Sequence, residues 1–119
     1  MPTWDDVVRL GKRLPEVTVS TWFRTPSLKV RDKGFARLRT ESDGLLVLMC
    51  PLEEKEALLA GGHPAVTTTP HYDGYGAILV DLERIELDEL WEFVEQAWLC
   101  KAPAKLRAGW AAHPRSTQS

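Results

Sequence analysis

Apolar residues recur at helical spacing near both ends of the chain. Near the N-terminus one helical face carries Trp4, Val7, Val8, Gly11 and Leu14. Thr3 and Asp6 resemble a capping box at its start, and Pro15 interrupts the pattern. The same spacing returns after Glu86, in a stripe formed by Leu87, Leu90, Trp91, Val94 and Trp98. The sequence therefore predicts a first helix over residues 3–13 and a long last helix that ends at Pro103.

Between residues 17 and 49 the apolar period falls to about two, which is typical of strands. Val17 to Trp22 is β-branched and aromatic, and Leu45 to Met49 is almost continuously apolar. Two further strands lie between them, separated by the turn signals Thr25-Pro26, Asp32-Lys33-Gly34 and Ser42-Asp43-Gly44. Short turns between consecutive strands predict an antiparallel meander of four strands.

The second half of the chain predicts a helix that begins at Pro51 and two more strands, Val66 to Thr69 and Ala77 to Leu82. On that helix we expect Leu52, Ala57, Leu58 and Leu59 to form the apolar side. The element order becomes α-β-β-β-β-α-β-β-α. We predict one compact α+β domain over residues 1–110, with an antiparallel sheet of five or six strands and flanking helices. Residues 111–119 have no periodicity and are predicted to form a flexible tail.

Composition excludes several classes of protein. The chain has 119 residues, a net charge of −2 and no run of about 18 apolar residues, so no membrane segment is predicted. A pI of about 5.9 argues against a protein that coats DNA indiscriminately. The N-terminus lacks an apolar signal core, and Cys50 and Cys100 are distant in sequence. We therefore expect a cytoplasmic protein with both cysteines as thiols.

The modest net charge conceals two segments of opposite sign. Six cations and one anion lie between Arg24 and Arg39, and six acids and one arginine lie between Glu83 and Glu95. Strand alternation predicts a basic two-stranded ribbon with one exposed aromatic ring. Such a ribbon could hold a phosphate backbone while the ring stacks on a base. The predicted nucleic-acid-binding residues are Lys29, Arg31, Lys33, Phe35, Arg37 and Arg39. The alternative is an ordinary solvated sheet face.

Several segments, taken in order, resemble the MmcQ/YjbR-like family of small bacterial proteins. They are Leu14-Pro15-Glu16-Val17, Thr25 to Val30, Lys33 with Phe35 to Leu38, Pro51 to Glu54 with Leu58-Leu59, Pro70-His71-Tyr72, Ile78 to Val80, Asp88 to Leu90, Ala97-Trp98 and Ala102 to Leu106. The resemblance spans residues 14–106. It implies one α+β domain with a curved antiparallel sheet, and a DNA-binding protein without an established enzymatic activity.

Other candidate sites rest on single side chains. A loop with His71, Tyr72 and Tyr75 could act as a small-ligand site, and His71 could also serve as a general acid or base. Cys50, His63, His71 and Cys100 lack the close spacing of zinc ligands. No phosphate loop, dinucleotide fingerprint or nucleophile elbow is present. We therefore expect no metal, no cofactor and no enzymatic activity.

Two functions from different classes follow. The first is DNA binding through phosphate contacts made by the basic ribbon. The second is a non-enzymatic protein-interaction module that uses the sheet face or the acidic last helix. We expect a monomer or a weak homodimer.

Overall fold

The structure is a computed structural model, which describes residues 2–22, 25–39, 45–68 and 76–111. Its helices are α1 (Trp4–Gly11), α2 (Leu52–Ala60), α3 (Leu87–Lys101) and α4 (Ala104–Ala111). Its strands are β1 (Val17–Trp22), β2 (Thr25–Val30), β3 (Lys33–Leu38), β4 (Leu45–Met49), β5 (Val66–Thr67) and β6 (Ala77–Asp81). None of the helices among these residues is long and apolar enough to cross a membrane.

The six strands form one antiparallel sheet with the order β1-β2-β3-β4-β6-β5. The predicted four-stranded meander is therefore confirmed, because β1 to β4 are neighbours in chain order. The α+β class and the order of the elements are confirmed as well. Most of the predicted C-terminal tail lies outside the described residues, although Ala111 closes α4.

The helices cover one face of the sheet. α3 packs on β3 and β4 and also contacts α1. Gly11 on α1 lies against β2 so closely that a Cβ there would be 2.5 Å from Cδ1 of Leu28. The capping box predicted from Thr3 and Asp6 is present at the start of α1. On the helical stripes Trp98 and Trp91 are buried, whereas Trp4 packs at the edge of the core.

A β-bulge in β3 changes the phase that strand alternation predicted. Leu28 pairs with Ala36, but Lys29 pairs with Gly34, so Phe35 is an extra residue without a partner on β2. An extra residue interrupts strict alternation at the position of the bulge. The prediction that Phe35 is exposed beside the arginines is therefore wrong. Its ring is fully buried and joins the hydrophobic core with Ala36.

The predicted apolar side of α2 is also partly wrong. Leu52 is 41% exposed and Ala57 is exposed, whereas Lys55 is the buried residue of this helix, at 2% exposure. A lysine carries a long aliphatic stem, which can cover apolar surface as a leucine would. α2 packs on β5 and β6, and a cavity separates it from α3. Leu58 and Leu59 pack against the core as expected, but only in part.

Candidate nucleic-acid interface

The strand register places three cations on the sheet face opposite the helices. Arg37 pairs with Ser27 across β2 and β3, and Lys29 follows Ser27 by two residues on β2. Arg39 follows Arg37 by two residues, and its backbone N–H donates to the carbonyl of Leu45 at 2.9 Å. Side chains two residues apart lie on the same face of a strand. Lys29, Arg37 and Arg39 therefore share one face, which we call the basic face.

Contacts within the protein hold the Arg37 side chain in place. Its Nη1 donates to Thr25 Oγ1 at 3.4 Å and to the Leu38 carbonyl at 3.3 Å. Lys29, Arg37 and Arg39 are each partly exposed, whereas Ser27, Val47 and Leu79 on the same face are buried. The accessible part of the basic face is therefore limited to the three partly exposed cations.

The two cations at the turn between β2 and β3 have different surroundings. Lys33 is exposed at the start of β3. Arg31 instead forms a bidentate ion pair with Glu16, with Nε–Oε1 at 2.9 Å and Nη2–Oε2 at 3.2 Å. The Glu16 carboxylate, through these hydrogen bonds and its charge, raises the pKa of the Arg31 guanidinium. Arg31 thus has a charged partner, Glu16, within the chain.

Glu16 and Arg31 also share an uncommon backbone conformation. Both have a φ of 55°, in the left-handed region that non-glycine residues seldom adopt. They face each other where β1 begins and β2 ends, and the Arg31 N–H donates to the Glu16 carbonyl at 3.4 Å. The ion pair therefore links two turns that are strained locally. This arrangement assigns Arg31 a structural role.

Acidic side chains collect on the other side of the sheet. Glu53, Glu54 and Glu56 on α2 are exposed, as are Asp88 and Glu92 on α3. Both helices lie on the face opposite Lys29 and Arg37. The exposed acids of α2 and α3 thus lie on the side of the sheet away from Lys29 and Arg37.

Glu95 and Glu89 of α3 form hydrogen bonds within the protein. Glu95 accepts a hydrogen bond from Trp110 Nε1 at 2.8 Å. Glu89 Oε2 lies 2.9 Å from His63 Nε2, and the other His63 nitrogen accepts from the Ala65 backbone N–H at 3.1 Å. His63 therefore connects the loop before β5 to α3, with both ring nitrogens engaged. Sequence reasoning considered His63 only as a metal ligand and gave no signal for this pairing.

A cavity of about 330 Å³ lies between α2 and α3, over the ends of β4 and β6. Its walls are mostly apolar, from Leu48, Met49, Ile78, Leu58 and Phe93, with Cys50, Glu54, Ala57 and Gln96 also lining it. Its volume is at the lower end of the range found for ligand pockets. The sequence did not predict it, because the gap follows from how far α2 stands from α3.

Cys50 at this cavity is a poor nucleophile. Burial and the neighbouring Glu54 carboxylate raise the pKa of its thiol to about 11. The thiolate is the reactive form of cysteine, so a pKa two units higher lowers the thiolate fraction by about a hundredfold near pH 8. Both cysteines are free thiols, as expected, and Cys100 is more exposed than Cys50.

We therefore expect a chromogenic disulfide reagent at pH 8 to modify Cys100 first and Cys50 much more slowly. Cys50→Ser and Cys100→Ser, which each leave one thiol, assign the two phases. The rate of the Cys50 phase should rise about tenfold for each pH unit up to pH 10, because thiolate is formed in that range. Equal rates for the two single-thiol variants would contradict this assignment.

The remaining predicted site lies outside the described residues. His71, Tyr72 and Tyr75, proposed as a small-ligand loop, fall in residues 69–75. Across the part of the chain that the structure describes, no three His, Cys, Asp or Glu side chains come together as a metal ion would need.

The sequence was compared with protein families and with known proteins. Residues 12–100 match the YjbR family. The chain is also 36% identical over 120 residues to the uncharacterized protein Mb2600 of Mycobacterium bovis and to the uncharacterized proteins MT2646 and Rv2570 of Mycobacterium tuberculosis. Each alignment covers 89% of this chain and 93% of the relative. The match to the family covers well over half of the sequence, and it agrees with the segments that resemble the MmcQ/YjbR-like family. The chain belongs to the YjbR family.

Proposed function

We propose that this YjbR-family protein binds double-stranded DNA through phosphate contacts and does so without catalysing a reaction. The observation that carries the proposal is the register of β2 and β3, which groups Lys29, Arg37 and Arg39 on one sheet face. Lys33 adds an exposed cation at the adjoining turn. Phosphate contacts provide most of the affinity in non-specific DNA binding, and they need grouped cations rather than an excess of positive charge overall.

Charge separation across the sheet supports the same proposal. A polyanion that approaches the basic face meets cations, while the acids of α2 and α3 lie behind the sheet. The net charge of −2 would otherwise oppose association with DNA. Phosphate oxygens are charge-assisted acceptors for guanidinium and ammonium groups, so each half-exposed cation can add one contact.

The interface that we propose is smaller than the sequence alone suggested. Arg31 is paired with Glu16, and Phe35 is in the core, so neither takes part. Without an exposed ring, base stacking is absent from the proposal. The remaining four cations favour recognition of backbone shape over base sequence.

The test is a titration of a DNA duplex at several salt concentrations. Neutralisation of four phosphates predicts a slope of log K against log salt of about −3.6. Lys29→Ala with Lys33→Ala, and Arg37→Ala with Arg39→Ala, should each reduce the slope by about 1.8 and weaken binding. Arg31→Ala should leave the slope unchanged.

The matched control removes two exposed cations elsewhere. Lys105→Ala with Arg107→Ala on α4 changes the net charge by the same amount as each double variant. Circular dichroism establishes that every variant is folded. The proposal is wrong if the unchanged protein does not bind DNA at low salt, or if the α4 variant loses as much affinity as the others.

The proposal assigns no catalytic role to two of the described side chains, His63 and Cys50. His63 has both ring nitrogens in hydrogen bonds, so it has no free nitrogen to act as a base. Cys50 has a raised pKa, which leaves little thiolate at neutral pH.

The alternative, a protein-interaction module, predicts a different outcome. The acidic helix α3 is a weaker candidate for a docking surface than its sequence suggested, because Glu89 and Glu95 are bound internally. If the sheet face served a protein partner instead, DNA retention would be absent even at low salt. The duplex titration therefore separates the two functions.

A further inference from the structure

Strand β1 forms one edge of the sheet and lacks charges, proline and a bulge. Among the described residues it pairs with β2 on one side only. Its six residues contain no charge and no proline, and its pairing with β2 shows no bulge. Natural sheets protect their edges with such features, because an open edge pairs readily with another strand. Val19 at the middle of β1 is 48% exposed.

The direction of the backbone groups along β1 follows from the ladder. The Arg31 N–H donates to the Glu16 carbonyl, so Glu16 and Arg31 form a hydrogen-bonded pair. Hydrogen-bonded and non-hydrogen-bonded pairs alternate along antiparallel strands. The backbone groups of residues 18, 20 and 22 therefore point towards β2, and those of Val17, Val19 and Thr21 point outward.

A second hydrogen bond agrees with this phase. If the same alternation continues through β2 and β3, the Arg39 N–H must point towards β4. It does so, because it donates to the Leu45 carbonyl. Among the described residues no hydrogen bond reaches the outward groups of β1. The edge thus presents a regular row of donors and acceptors to a partner strand.

We propose that β1 pairs with β1 of a second copy of this chain, in antiparallel orientation about a two-fold axis normal to the sheet. Such an axis places residues whose backbone N–H and C=O groups point away from β2 opposite one another. With Val19 opposite Val19 of the second copy, Val17 lies opposite Thr21 of the second copy, and all the outward residues are paired. On the other sheet face Thr18 lies opposite Ser20 of the second copy.

The chemistry of this register favours a second copy as the occupant. No charged residue lies within β1, so no like charges face each other in the strand pair. The two exposed Val19 side chains, on the helix side of the sheet, would cover each other. β-branched pairs of this kind stabilise neighbouring strands. The edge is thereby complementary to itself.

The proposed dimer does not depend on DNA binding. The axis normal to the sheet keeps both basic faces on the same side of one continuous sheet. The dimer would therefore present two copies of Lys29 and Arg37, related by two-fold symmetry. If DNA binding is disproved, the strand pairing is still tested by a separate measurement of the mass in solution.

Sedimentation velocity over a wide concentration range tests the pairing without DNA. The unchanged chain should shift from 13.4 kDa towards twice that mass as its concentration rises. Val19→Lys places two like charges opposite each other and should raise the dissociation constant of the dimer by about tenfold or more. Val19→Pro should do the same, because it removes an outward N–H and leaves the bonds to β2 intact.

Leu87→Lys is the matched control, since Leu87 is a similarly exposed apolar residue (45%) at the start of α3. It should dimerise like the unchanged chain. A single species of 13.4 kDa at every concentration overturns the proposal, as does a dimer that survives both Val19 substitutions. Equal weakening by Leu87→Lys would also overturn it, because the contact would then lie elsewhere.

Discussion

Replacement of Phe35 with alanine should lower the free energy of unfolding by about 3–5 kcal/mol. The ring is fully buried beside Ala36, and the bulge at Phe35 fixes it in the core. The substitution removes the ring and leaves a cavity, since the paired strands on either side limit collapse. Total stabilities of single domains are about 5–15 kcal/mol, so this variant is expected to be marginal. Urea unfolding at low temperature measures the change.

Phe35→Leu makes the same test in a milder form. It keeps an apolar side chain of comparable size and should cost less than about 1.5 kcal/mol. This variant should remain folded and bind DNA as the unchanged chain does, because the ring is not at the interface. Leu87→Ala serves as an exposed control with little effect on stability. A loss below about 1 kcal/mol for Phe35→Ala would mean that the ring is not in the core.

Replacement of Trp98 with alanine should be similarly destabilising, by about 3–5 kcal/mol. Trp98 is fully buried on α3, and its indole packs edge-on against Trp110 with centroids 6.0 Å apart. Its Nε1–H donates to the Pro15 carbonyl at 3.0 Å, which connects α3 to the turn before Glu16. Loss of the side chain thus removes both core volume and a link to the α1–β1 connection.

Trp98→Phe separates these two contributions. Phenylalanine retains most of the apolar ring but cannot donate to Pro15, so the expected cost falls to about 1–3 kcal/mol. The Arg31–Glu16 pair lies next to this carbonyl, and a thermal unfolding series with Glu16→Gln added should show coupling between the two sites. Equal losses for Trp98→Phe and Trp98→Ala would show that the hydrogen bond carries the whole effect. Additive losses would contradict the coupling.

Local patterns predicted most of the fold because they reflect short-range requirements. The helical stripe with Trp91 and Trp98 indicated α3, and the turn signals at Asp32-Lys33-Gly34 separated β2 from β3 correctly. The one error of consequence lies in β3. Gly34 was the available signal, since a glycine inside a strand often marks a bulge. Strict alternation ignores this signal and therefore predicted an exposed Phe35, whereas the ring is buried.

Helix α2 is a second case in which the sequence pattern did not predict which residues are buried. Its sequence contains apolar residues at several positions, but which of them are buried depends on where the helix rests. In the fold α2 lies over β5 and β6 and stands away from α3, so Lys55 is buried and Leu52 is exposed. The cavity beside Cys50 has the same origin.

The sequence by itself determined the element order, the antiparallel meander and the presence of one basic and one acidic segment. These depend on periodicity, turn residues and charge counts, which are local properties of the chain. Only the tertiary structure decided that Phe35 is buried, because that depends on the strand register and on the bulge in β3. It also decided that Arg31 is bound, since its partner Glu16 is fifteen residues away in sequence and is brought close by the pairing of β1 with β2.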